Sequence, residues 1–77
     1  MLPMIHKKLR EVRDENFSAM MANTYDANVA AGRYACSVML LNGGTPEDAE
    51  QGLDILPSDW PQRRGWQETI KQFKGLI

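Results

Sequence analysis

The chain has 77 residues, of which 43% are hydrophobic and 25% charged, and its net charge is −1. This balance is typical of a globular chain and excludes the apolar-poor composition of disordered proteins, and the length suffices for one domain, 1–77. One cysteine and one histidine exclude an internal disulfide and a zinc site, so we expect this small chain to gain stability by self-association, as a dimer.

The beginning of the sequence and its longest apolar runs predict where in the cell the protein is found. No run approaches the roughly 20 apolar residues that cross a bilayer. Charged residues, among them Lys7, Lys8 and Glu11, occupy the positions where a signal peptide would need apolar side chains. We therefore expect a cytoplasmic protein with no membrane partner.

The first segment predicts a helix that begins near Pro3, since the first helical turn tolerates proline. One apolar stripe at helical spacing consists of Ile5, Leu9, Val12, Ala19 and Met20. Asn16 lies within this stripe, and three interpretations of it stay open. Either it is a buried amide with a partner, or the stripe has rotated there, or it is a polar residue that fixes the register between two subunits.

The second segment is the most apolar of the chain. Asn23 with Asp26 three residues later resembles a capping box, so either a new helix begins there or the first helix continues through this point. Residues 27–41 are apolar nearly all round, which indicates a central, buried helix. Its small residues would let another helix backbone approach closely, and they are Ala27, Ala30, Ala31, Gly32 and Ala35. The pair Gly43-Gly44 ends this helix, because glycine accepts the left-handed conformation of a helix end.

Two further helices follow this glycine pair. Thr45-Pro46 combines a capping residue with a proline at the first helical position. The inner face of this short third helix is predicted to hold Ala49, Leu53 and Leu56, with Pro57 at its end. Asp59 and Gln62 predict the capping box of the fourth helix. The apolar stripe of the fourth helix is Trp66, Ile70, Phe73 and Ile77.

These elements together predict the fold class. No segment shows the sustained polar/apolar alternation of a strand. The fold class is therefore all-α, a small bundle of three to four helices in a single domain. Residues 45–59 carry five acids and no base, whereas 60–77 carry four bases and one acid. This distribution favours attraction between the third and fourth helices.

None of the residue types that enzymes use occurs in a supporting pattern. Cys36 lies mid-helix among apolar neighbours, which predicts a buried, inert thiol. His6 is flanked by lysine and has no orienting carboxylate, which predicts a surface histidine. The acids of 45–59 lack the spacing of a calcium loop, and Gly43-Gly44 lacks the Lys-Ser/Thr of a phosphate loop. We therefore expect no enzyme activity, metal or cofactor.

The fourth helix predicts a binding surface. At 100° per residue, Trp60, Arg64 and Lys71 lie roughly opposite the apolar stripe. Trp60 either packs under the Leu56-Pro57 turn or is exposed, and an exposed Trp60 beside Arg64 has the composition of an interaction hot spot. The first hypothesis is a protein-binding module, which acts as an adaptor, inhibitor or regulator of an unknown protein partner. Its partner-binding residues are Trp60, Arg63, Arg64 and Lys71.

The second hypothesis is DNA binding by the region 45–75. This region has the order of a helix-turn-helix, with a third helix, a tight turn, and a fourth helix that carries Arg63 and Arg64 near its start. However, the third helix is acidic, the turn has no glycine, and a net charge of −1 supplies little attraction to phosphates. We therefore rank a protein partner before DNA.

Overall fold

Four α-helices make up the secondary structure, and the all-α prediction is confirmed. The computed structural model describes residues 3–22 and 25–77, and no strand occurs in these ranges. The helices are α1 (Pro3–Met20), α2 (Tyr25–Leu41), α3 (Pro46–Leu53) and α4 (Pro61–Phe73). The capping box predicted at Asn23 lies outside the described residues. Within those residues, no helix combines the length and the apolar character needed to cross a membrane.

α2 is the central helix of the bundle. It packs against α1 on one side and α4 on the other, while α3 packs against α4 and more lightly against α2. The resulting globule is flat, with extents of 34, 27 and 16 Å. One side of α2 is left uncovered, so Ala35 is exposed. The predicted central position of this helix is confirmed, but its burial is incomplete, because α1 and α4 flank α2 without enclosing it.

The core contains side chains from all four helices. Its buried members are Leu9, Val12, Cys36, Leu40, Ala49, Ile70 and Phe73. The inner positions predicted for Leu9 and Phe73 are confirmed, since neither side chain has accessible surface. Ala19, which the sequence placed in the α1 stripe, is exposed. The predicted stripes therefore identify the middle of each helix better than its end.

α2 and α4 cross at a pair of glycines. A β-carbon at Gly32 would lie 1.9 Å from the carbonyl oxygen of Gln62, and one at Gly65 would lie 1.9 Å from the carbonyl oxygen of Val29. Both distances are far below van der Waals contact, so the two backbones touch where neither helix has a side chain. The prediction that another helix backbone approaches the small residues of α2 is confirmed, and that helix is α4.

The connection between α2 and α3 has the predicted helix ends. Gly43 has a φ of +95°. The N–H groups of Gly43 and Gly44 donate to carbonyls in the last turn of α2, over 3.3 and 3.0 Å, as in a Schellman motif. The Thr45 hydroxyl accepts from the Asp48 N–H, and the Asp48 carboxylate accepts from the Thr45 N–H, both over 3.1 Å. This reciprocal capping box fixes the start of α3.

The end predicted for α3 is wrong. α3 ends at Leu53, before Leu56. The N–H groups of Ile55 and Leu56 both donate to the Gly52 carbonyl, over 3.2 Å, and tighten the last turn. Seven residues, 54–60, then connect α3 to α4, whereas a helix-turn-helix has a turn of about three to four residues. The tight turn predicted for the DNA-binding hypothesis is therefore also wrong.

The start of α4 differs from the prediction too. Trp60 occupies the N-cap position without a side-chain hydrogen bond, and Pro61 is the first helical residue. The Trp60 N–H donates to the Pro57 carbonyl over 3.2 Å, so the chain turns immediately before α4. Asp59 lies one residue outside the cap, and its capping box with Gln62 does not form.

α4 ends earlier than its apolar stripe predicted. α4 ends at Phe73, and Gly75 has a φ of +87°, which turns the chain away from the helix axis. Ile77 is consequently 40% exposed and lies outside the buried stripe.

Candidate functional site

The outward side of α4 carries three of the four predicted binding residues. The buried side of the helix consists of Gly65, Thr69, Ile70 and Phe73. Trp60, Arg64 and Lys71 lie within about 40° of one another around the helix axis, since residues are about 100° apart. All three are exposed. We call Trp60, Arg64 and Lys71 the α4 outer face.

Trp60 and Trp66 differ in their environments and in what they contact. Half of the Trp60 side chain, 50%, is exposed, so the Leu56-Pro57 turn does not bury it. Trp66 is half-buried, and its indole N–H donates to the Ala49 carbonyl over 2.7 Å. Trp66 therefore fastens α3 to α4, whereas the indole of Trp60 offers apolar area to solvent.

Arg64 is oriented by Glu68, one turn further along α4. The Arg64 Nε donates to Glu68 Oε1 over 3.2 Å, and 66% of the Arg64 side chain stays exposed. Glu68 Oε2 also accepts from Arg33 of α2, from Nη2 over 2.8 Å and from Nε over 2.9 Å. The hydrogen bond from Arg33, followed by that from Arg64, holds the pKa of the Glu68 carboxyl below its ordinary value. This shared carboxylate connects the α4 outer face to the centre of the bundle.

Asn16 belongs to the same network. Its Nδ2 donates to the Val12 carbonyl over 2.8 Å, and its Oδ1 accepts from Arg33 Nη1 over 3.5 Å. Asn16 is buried. The interpretation of Asn16 as a buried amide with a partner inside the chain is thus confirmed, because both ends of the amide have one.

Arg63 does not lie on the α4 outer face. It lines a cleft between α3 and α4, together with Leu53, Ile70 and Lys71. Its Nε is buried, and the described residues supply no hydrogen-bond partner for it. On the far side of the cleft, Glu50 pairs with Lys74, as the attraction predicted between the acidic and basic segments requires. Lys71 therefore borders both the cleft and the outer face, and Arg63 belongs to the cleft.

Cys36 and His6 are residues whose side chains could act as a nucleophile and a base. Burial raises the pKa of the Cys36 thiol to about 12, so the reactive thiolate is suppressed. His6 is exposed on α1. Throughout 3–22 and 25–77, no three His, Cys, Asp or Glu residues come close enough together to hold a metal ion.

A second surface was not predicted from the sequence. The start of α1 and the chain around the end of α4 form an open apolar groove, whose apolar lining is Pro3, Met4, Ile5, Phe73 and Leu76. Lys7, Lys8 and Glu11 also line it. The sequence held one sign of this surface, because Met4 is a large apolar residue that lies outside the apolar stripe of α1. We call this feature the terminal groove.

Comparison with known proteins adds no family. No family model, no curated protein and no solved structure matches this chain.

Proposed function

We propose that this protein is a non-enzymatic module that binds another protein through the α4 outer face and acts as its adaptor, inhibitor or regulator. The half-exposed indole of Trp60 beside exposed Arg64 and Lys71 is the observation that carries this proposal. Tryptophan and arginine are enriched among the residues that dominate binding energy. We place this binding in the cytoplasm, where thiols stay reduced, because Cys36 is buried and unpaired.

The α4 outer face also suggests the chemistry of its partner. Arg64 lies about one turn after Trp60 and Lys71 about two turns further, so both present positive charge on the same side of α4 as the indole. A complementary surface has an apolar recess for the indole and carboxylates near its rim. Opposite charges accelerate the encounter and fix the register, while burial of the indole supplies more of the affinity.

We favour a protein partner over DNA for three reasons. Glu47 and Asp48 are exposed on α3, where a helix-turn-helix would approach phosphates. The net charge of −1 adds no general attraction to a polyanion. The seven-residue connection between α3 and α4 supports the same preference.

A pull-down with matched variants tests the proposal. The tagged protein recovers a partner from its native cell, and the affinity of that partner is then measured with purified components. Trp60→Ala should weaken binding by about thirtyfold, which corresponds to about 2 kcal/mol. Met21→Ala is the control, because Met21 is 72% exposed just after α1, away from the outer face. Arg64→Glu should also weaken binding, and Arg10→Glu on α1 should not.

Two results would overturn the proposal. One is a partner whose affinity is unchanged by both Trp60→Ala and Arg64→Glu. The other is retardation of duplex DNA by the purified protein with a steep salt dependence, because such binding requires phosphate contacts.

A further inference from the structure

The terminal groove is apolar on its floor and positively charged at one edge. Met4 is 81% exposed and Leu76 is 56% exposed, although both are large apolar side chains. Phe73 closes the floor beneath them. Lys7 has no ion-pair partner in the described residues, whereas Lys8 pairs with Glu11 over 3.9 Å, so the two lysines and Glu11 give the groove one net positive charge. The groove therefore suits an apolar side chain that is flanked by acidic residues.

The connection between α3 and α4 carries such a segment. Ile55 is 84% exposed, more than any other large hydrophobic side chain described. Asp54 precedes it directly and Asp59 follows four residues later, and both are exposed. No base lies between residues 45 and 59. This segment, 54–59, matches the terminal groove in both apolar character and charge.

The groove and this segment do not meet within one chain. Ile55 is not among the residues that line the groove, and its exposure shows that its own chain leaves it uncovered. The segment precedes the start of α4, whereas Phe73 lies at the other end, about 20 Å away along a helix of this length. A contact between the two surfaces therefore requires two molecules.

We propose that the occupant of the terminal groove is a second copy of this chain, in which Ile55 enters the groove while Asp54 and Asp59 approach Lys7 and Lys8. In a two-fold pair each copy supplies one groove and one segment, so the same contact forms twice. Burial of Met4, Leu76 and Ile55 drives the association, and the carboxylate–lysine pairs set its orientation. The lining of the terminal groove does not include the α4 outer face, whereas segment 54–59 ends directly before Trp60.

Complementary variants give the decisive experiment. Sedimentation equilibrium over a wide concentration range should show the mass rising from 8.7 kDa towards twice that value. Met4→Glu in the groove and Ile55→Ser in the segment should each raise the dimer dissociation constant by more than about tenfold. Both residues are highly exposed, so folding should be unaffected, as circular dichroism will verify. An equal mixture of the two variants should form dimers again, because one intact groove then meets one intact segment.

Controls distinguish this contact from others. Met21→Glu is matched to Met4→Glu, since Met21 is 72% exposed just beyond the opposite end of α1, and it should leave the dissociation constant unchanged. A protein that remains monomeric at every concentration would overturn the proposal. So would a dimer that survives either Met4→Glu or Ile55→Ser, or a mixture of the two variants that stays monomeric.

Discussion

α2 packs against α1 and against α4 in two different ways. Towards α1, contact is made by side chains: Leu9 and Val12 enter the shared core, and the rings of Phe17 and Tyr34 lie 5.6 Å apart. At the crossing with α4, contact is made by backbone, because Gly32 and Gly65 have no side chains there. The first interface can adjust by changing rotamers, whereas the second has no atoms that can move aside. The two sides of α2 should therefore respond differently to the same small change in volume.

The largest expected effect is at the glycine crossing. Gly65→Ala should lower the free energy of unfolding by more than about 3 kcal/mol, the upper range for overpacking, because the new β-carbon would overlap the Val29 carbonyl. This loss far exceeds the gain of about 1 kcal/mol that alanine brings to a helix interior. Urea denaturation measures it.

Gly52→Ala on α3 is the matched control for the crossing. Its β-carbon would approach only the edge of the Trp66 ring, at 3.2 Å. A much smaller change is expected there, since a side chain can shift. If Gly65→Ala proved as stable as the original protein, the backbone contact between α2 and α4 would be contradicted.

The next effect concerns the side-chain interface. Leu9→Ala should lower the free energy of unfolding by about 3 kcal/mol, because it leaves a cavity beside fully buried neighbours. Leu9→Met should cost less than about 1.5 kcal/mol, since methionine has a similar volume and adapts its shape. Denaturation of both variants sharpens the comparison. Equal losses for Met and Ala would show that this interface is as rigid as the glycine crossing.

The smallest effect concerns the Arg33–Glu68–Arg64 network. Glu68→Gln should lower the free energy of unfolding by less than about 1 kcal/mol at neutral pH, because the side chain of Glu68 is 40% exposed and solvent screens its ion pairs. The folded-state pKa of Glu68 lies below its ordinary value of 4.5. Its stabilisation is therefore complete above that value and is lost as the pH falls through the folded pKa.

The pH dependence supplies the test of this network. Thermal midpoints of the two proteins should differ slightly at neutral pH and converge as the pH falls below 4.5. A difference that persists unchanged into strong acid would mean that the carboxylate charge contributes nothing.

The helix ends that were predicted correctly depend on local chemistry. Gly43 and Gly44 end α2, and Thr45 with Asp48 begins α3, through hydrogen bonds between residues at most five apart. Such bonds form from the sequence order itself, whatever the rest of the chain does. The apolar stripes predicted Leu9 and Phe73 in the core for a similar reason, because helical spacing determines which side chains share a face.

Local patterns could not decide the start of α4 or the position of Arg63. Asp59 and Gln62 had the spacing of a capping box, but a turn at Pro57 placed Trp60 at the N-cap instead. By contrast, 100° spacing was enough to group Trp60 with Arg64 and Lys71 on one side of α4. The separation of Arg63 into the cleft depends on where α3 lies.

The sequence by itself determined the helical class, the break between α2 and α3, and the grouping of Trp60, Arg64 and Lys71. The tertiary structure alone decided that Gly65 meets α2, that Glu68 joins Arg33 to Arg64, and that Met4 and Leu76 share a groove. The physical reason is how far apart along the chain the interacting residues lie. Helical periodicity and capping bring together residues within about one turn of each other, whereas the crossing, the shared carboxylate and the groove join residues from different helices whose separation in space no local pattern encodes.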